Sequence, residues 1–173
     1  MGRTRRTAIL ALLAAAALTL QPPPAGAGTA THNLNITATV ATNCTLTAHP
    51  LAFGIYDPLT FNATTPLDAS TTIDLNCSYT TAAVVAMDQG LTKAGGSTAT
   101  VPLRQMASGA NRLRYDIYQD AGRTTAWGTG GATDVNYTGT GLADTMSVYG
   151  RIGAGQSKPF GSYTDTVVIT ITF

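Results

Sequence analysis

Residues 164–173 read "TDTVVITITF". Side chains alternate across a strand with a period of two. Val167, Ile169, Ile171 and Phe173 therefore fall on one face, and Val168, Thr170 and Thr172 on the other. Branched Val, Ile and Thr side chains suit the pleated surface of a sheet. This is the clearest strand signal in the chain, and the sequence closes on it. An apolar strand with an uncovered edge is a template for pairing with another chain. The closing run thus predicts a β-protein and, within it, an edge that something must cover.

Upstream, short alternating or apolar runs recur at 33–41, 70–77, 82–90, 100–106, 112–120 and 145–152. Polar, Gly-rich tracts such as "GLTKAGGST" (90–98), "GRTTAWGTGGATD" (122–134) and "GAGQSKPFGSY" (153–163) separate them, as hairpin connections do. There is no Glu, Lys is scarce, and no window shows a 3.6-residue apolar stripe. The expectation is an all-β sandwich or barrel.

The first residues read as an export signal. Arg3, Arg5 and Arg6 precede the apolar run Ala8–Leu20, too short to span a bilayer comfortably, and an A-x-A site follows at Ala25–Ala27. The alternative, a membrane anchor, lacks a longer apolar run or a basic flank. The expected divisions are a signal peptide at 1–27, an arm at 28–41 and one β-domain at 42–173. Beyond residue 27 there are seven Lys and Arg against nine Asp, a net charge of −2. That balance gives no support for nucleic acid or an anionic membrane as partner. Cys44 and Cys77 are most simply one disulfide in an exported protein. Free thiols are the alternative. A metal site is disfavoured, because only His32 and His49 could join them.

Little points to catalysis. Neither histidine sits beside a nucleophile motif, and there is no G-x-S-x-G, P-loop or EF-hand loop. Asp57, Asp116, Asp120 and Asp165 lie at turns or strand ends, where Asp commonly bonds nearby backbone. Trp127 and the seven tyrosines could stack on a sugar, but sheet packing explains them as well. The N-x-S/T sites at Asn35, Asn43, Asn62, Asn76 and Asn136 follow from a Thr-rich composition. No enzyme activity, cofactor or metal is expected.

The run "THNLNITATVATNC" (31–44) stands apart. Leu34, Ile36, Ala38 and Val40 alternate with polar neighbours, and no hairpin turn ties the run to a following strand. It reads either as an ordinary first strand or as a free arm that adds to another molecule's sheet.

Four stretches carry a family resemblance: "CTLTAHPLAFGIYDP" (44–58), "TTIDLNC" (71–77), "LRYDIYQDAGRTTAWG" (113–128) and "VYGRIGAGQSKPFGSYTDTVVITITF" (148–173). Together they resemble the spore coat protein U family, which includes subunits of archaic, Csu-type chaperone–usher pili. The resemblance implies an immunoglobulin-like sandwich lacking its last strand and completed by donor-strand complementation. It implies Leu34, Ile36, Ala38 and Val40 as the donor strand, and Val167, Ile169, Ile171 and Phe173 as the strand that contacts the chaperone and borders the acceptor groove. Like subunits, a periplasmic chaperone and an outer-membrane usher are the implied partners, with no direct membrane insertion. Export through the periplasm to a surface fibre, with a part in adhesion or biofilm, is the implied destination. One domain with an arm favours a shaft or adaptor subunit over a tip adhesin. A spore-coat protein with the same fold and a monomeric, secreted carbohydrate- or surface-binding module are the alternatives.

Overall fold

A computed structural model describes residues 25–173. Residues 1–24, which hold nearly all of the expected export signal, lie outside the described residues. The chain divides into two units between Ala38 and Thr39. In the first, residues 25–38 are exposed and form neither helix nor strand. The run 33–41 is therefore not a strand of its own chain's sheet. Its pattern supplies an apolar face but no hydrogen-bond partner, and an extended segment becomes a strand only as part of a ladder.

The second unit contains eight strands: β1 (Cys44–Ala48), β2 (Leu67–Cys77), β3 (Ala82–Met87), β4 (Arg104–Ser108), β5 (Asn111–Tyr118), β6 (Val135–Thr138), β7 (Ala143–Ile152) and β8 (Ile169–Thr172). One sheet has the order β1-β2-β7-β5-β4 and the other β6-β3-β8, with every pairing antiparallel. The fold is an all-β sandwich, as the strand runs predict, and an immunoglobulin-like one, as the family resemblance implies. Five expected runs appear as β2, β3, β4, β5 and β7, their ends shifted by a few residues. The strands β1 and β6 lie outside the expected runs; "CTLTA" and "VNYT" are too short and too polar to show a period without their partners. The closing strand is shorter than expected. Its ladder covers only 169–172, preceded by an isolated bridge between Thr164 and Ala107.

The core lies between the sheets. It comprises Ile73 and Leu75 of β2, Val85 and Met87 of β3, alternate residues of β5 and β7, and the loop residue Trp127. Trp127 is fully buried, and its indole N–H donates to the Val85 carbonyl (3.0 Å), so its packing role is the one realised. Beside it lies Arg104, only 1% exposed. Its guanidinium donates to the carbonyls of Met87 (3.2 Å), Asp88 (2.9 Å) and Trp127 (2.7 Å), joining β4 of one sheet to the end of β3 in the other. A buried charge needs such partners, and burial holds the Arg104 pKa below its ordinary value. At one end of the sandwich, Cys44 and Cys77 face each other across β1 and β2 and are joined in a disulfide.

Candidate strand-acceptor groove

The sandwich is open along one side. β1 is the edge of the larger sheet and β8 the edge of the smaller one, and they are not hydrogen-bonded to each other. After β1 the chain continues as an irregular extension. Leu51 and Phe53 cross over β7 at Gly150, where an added Cβ would lie 2.7 Å from both side chains. Only glycine permits that approach. The Phe53 ring then meets Tyr115 edge to face, with centroids 6.1 Å apart. On the opposite wall, residues 163–171 run with Tyr163, Asp165, Val167, Ile169 and Ile171 turned inward and half-buried, while the residues between them are exposed.

Between these walls lie two cavities, of 370 and 790 Å³, which share Leu51, Phe53, Met106 and Tyr163 as lining. They form one long groove. Its floor is the core itself: Ile73, Met87, Ile117 and Val148 under the smaller part, Leu113 and Ile152 under the larger.

The backbone along this edge has a definite polarity. The Val168 carbonyl accepts from the Asp88 N–H (3.0 Å) and the Thr166 carbonyl from the Leu91 N–H (3.1 Å), while Thr164 exchanges two hydrogen bonds with Ala107. Even-numbered residues thus direct their peptide groups at β3 and β4. Both peptide groups of a residue in an antiparallel strand point the same way, and its neighbours' point the other. Val167, Ile169 and Ile171 therefore present N–H and C=O to the open edge and their side chains to the groove.

Asp165 interrupts the apolar row. Its carboxylate accepts from the N–H groups of Leu91 (3.0 Å) and Thr92 (3.3 Å) and from the Tyr115 hydroxyl (2.7 Å). Burial first, and this carboxylate second, push the Tyr115 hydroxyl well above the ordinary phenol range, so it stays a neutral donor. The other candidate carboxylates are likewise occupied. Asp57 is held below its usual pKa first by the Thr60 hydroxyl and then by the Leu59 and Thr60 N–H groups, and Asp120 first by the Thr125 N–H. Burial raises Asp116, whose nearest cation is Arg114 at 3.9 Å.

Of the residues singled out in the sequence, Val167 and Ile169 line the groove together, and Ile171 follows them in β8, packed against the core. Phe173 lies past the end of β8 and is 53% exposed. Leu34, Ile36, Ala38 and Val40 are exposed. The opposite wall, from Leu51 to Pro58, was legible only as a family motif; Met106 lies in an expected strand run but with no sign that it lines a groove, and the Asp165–Tyr115 bond carried no local signal.

The chain matches the Spore Coat Protein U domain over residues 30–170. It is 42% identical over 176 residues to Protein U of Myxococcus xanthus, covering 97% of this chain and 98% of that protein. Two solved structures share the fold. One is the complex of CsuC with the tip adhesion subunit CsuE from archaic chaperone–usher Csu pili of Acinetobacter baumannii, with a TM-score of 0.56 and 22% identity. That match covers 78% of this chain and 40% of the other, so the chain spans less than half its length. The other is the P pilus rod subunit PapA, with a TM-score of 0.53, 14% identity, and coverage of 75% and 97%. By their descriptions, the two solved structures are a chaperone bound to a pilus tip adhesion subunit and a pilus rod subunit.

Proposed function

We propose, for a chain that belongs to the Spore Coat Protein U domain family, that it is a structural subunit which joins its neighbours by donor-strand exchange. In this reading, the arm of one copy lies along β8 of the next, with Leu34, Ile36, Ala38 and Val40 turned into the groove. The observation that carries the reading is the open edge of β8 above an apolar floor made of core side chains. Strand addition supplies main-chain hydrogen bonds for affinity and pockets for alternate side chains for specificity. Burying Leu34, Ile36 and Val40 contributes roughly 1.5–3 kcal/mol each before ordering costs. An arm and a groove on one molecule make a heterologous contact, which propagates into a fibre unless a rotation closes it.

Before assembly the same edge needs cover, and a chaperone strand fits that need; the CsuC–CsuE complex is a chaperone bound to a subunit of this fold. Export across the inner membrane and display at the surface, with an usher as the exit, complete the proposed route. The pilus subunits that share the fold support a surface fibre as the setting, and the family's description keeps a spore coat as the alternative. Neighbouring genes for a chaperone and an usher would decide for a pilus.

Removal of residues 28–41 tests the mechanism. The truncated domain should accept but not donate, so assemblies that resist SDS at room temperature should disappear. A peptide spanning Asn33–Ala41 should bind it and raise its Tm, since a ligand specific for the folded state stabilises that state. The peptide with Ile36→Asp should not. A full-length chain that stays monomeric, and that the truncation merely unfolds, would instead support a self-contained binding module.

A further inference from the structure

If the arm inserts as proposed above, the polarity of β8 decides which ends of two copies meet. β8 runs toward the disulfide end: Thr172 pairs with Val84, close to the turn that joins Cys77 to β3. Every pairing in the sandwich is antiparallel, and an arm that continues the pattern runs the other way. Its C-terminal end, and with it the donor's body, then arrives at the opposite end of the acceptor.

Little slack separates arm from body. Only Ala41, Thr42 and Asn43 lie between Val40 and β1. Two of them are tied down: the Asn43 N–H donates to Ser78 Oγ (3.1 Å), and Ser78 Oγ donates to the Ala41 carbonyl (3.4 Å). Four residues extend at most about 14 Å. A donor whose Val40 sits in the groove therefore brings its Ser78 turn to the acceptor's far end.

Both ends carry exposed apolar side chains. Next to Ser78 is Tyr79, with Leu142 on the adjoining turn, where Gly141 packs against Tyr79; both large side chains are exposed. At the far end Ile55, Leu59 and Phe160 line the 790 Å³ cavity yet are almost wholly exposed. Charge adds a smaller contribution. The disulfide end has no Lys or Arg in 39–48, 74–86 or 136–147 and holds Asp144, and Asp74 there meets His49 at 2.8 Å. At the far end Lys158 borders the cavity, while Arg114 lies 3.9 Å from Asp116.

We propose that the two ends of the sandwich are matched docking surfaces between copies of this chain. The Tyr79–Leu142 end of the donor seats on the Ile55–Leu59–Phe160 end of the acceptor. The contact rests on the donor-strand reading and adds to it a fixed angle between successive bodies.

The test uses the full-length chain with Leu142→Cys and Phe160→Cys together, at exposed positions that leave the core untouched. Cys77 is buried and does not compete for the new thiols. After mild oxidation and boiling in SDS without reductant, a ladder of covalent multimers is expected. Each single variant, and the double variant lacking 28–41, should run as a monomer. If no ladder forms although the Asn33–Ala41 peptide binds the arm-less domain, the end contact is wrong while strand exchange stands. Covalent dimers from Leu142→Cys alone would mean like ends meet, and would overturn the polarity. A ladder from the arm-less double variant would overturn the tether as its cause. If the peptide fails to bind, the donor-strand reading falls and this contact falls with it.

Discussion

β2 and the C-terminal segment carry the same kind of alternating row, yet they reach different states. In β2, Ile73, Leu75 and Cys77 are each 1% exposed. Along the C-terminal segment, Val167, Ile169 and Ile171 are only half-buried. Side-chain type does not explain the contrast, since Ile73 and Leu75, like Val167, Ile169 and Ile171, are branched aliphatics at a spacing of two. The neighbours do. β2 lies between β1 and β7, whereas β8 has β3 on one side and nothing hydrogen-bonded on the other. A strand's face is buried by the strands beside and across from it, so one missing neighbour turns a core row into a groove wall. The arm is the limiting case: it has the same period, no ladder partner, and full exposure.

The largest effect should separate the two rows outright. Ile73→Asp puts an unpaired charge into the closed core, where several kcal/mol consume most of a domain's 5–15 kcal/mol of stability. No folded protein is expected by circular dichroism. Ile169→Asp in the arm-less domain should leave a cooperative thermal transition but abolish binding of the arm peptide. If it unfolds the domain as Ile73→Asp does, β8 is closed core and the contrast fails.

Next in size is the disulfide. Cys44→Ser should lower stability by about 2–5 kcal/mol, read as a lower urea midpoint. Neither cysteine lines either cavity, so peptide affinity at temperatures where the variant stays folded should change little.

A smaller effect is expected within the groove. Ile169→Ala should destabilise the peptide complex by about 2 kcal/mol more than the free domain, because full burial of Ile169 awaits the added strand. Thr170→Ala, on the outer face, should stay within about 0.5 kcal/mol in both states. Equal effects at the two positions would put the wrong face inward.

The smallest effect tests the outer surface. Asp68 accepts two hydrogen bonds from Arg151 (2.7 and 2.8 Å) and lies 3.3 Å from Arg123. The Arg151 hydrogen bonds hold its carboxyl below the ordinary value, against a smaller opposing push from burial. A depressed folded pKa contributes stability above the unfolded value near 3.9, and that stability is lost as pH falls through the folded one. More than a third of the side chain is exposed, so solvent screening keeps the effect under about 1 kcal/mol. Asp68→Asn should remove this part of the acid-side slope in a series of urea midpoints between pH 7 and 3.

Sequence alone was enough for the class of fold, the approximate positions of β2, β3, β5 and β7, the two faces of the closing strand, and the single cysteine pair. Each rests on local information: a period of two, branched side chains, Gly-rich breaks and two sulfurs. The family motifs also marked residues 44–58, without a role for them. Tertiary structure alone decided that "CTLTA" and "VNYT" are strands, that Arg104 is buried on three carbonyls, and that Asp165 is held by Tyr115 fifty residues away. It also decided that Leu51 and Phe53 wall a groove whose other side is β8. These are long-range arrangements in which each polar or weakly patterned residue takes its state from a partner distant in sequence. A period can place a side chain on a face, but only the neighbouring strand determines whether that face is buried or left open.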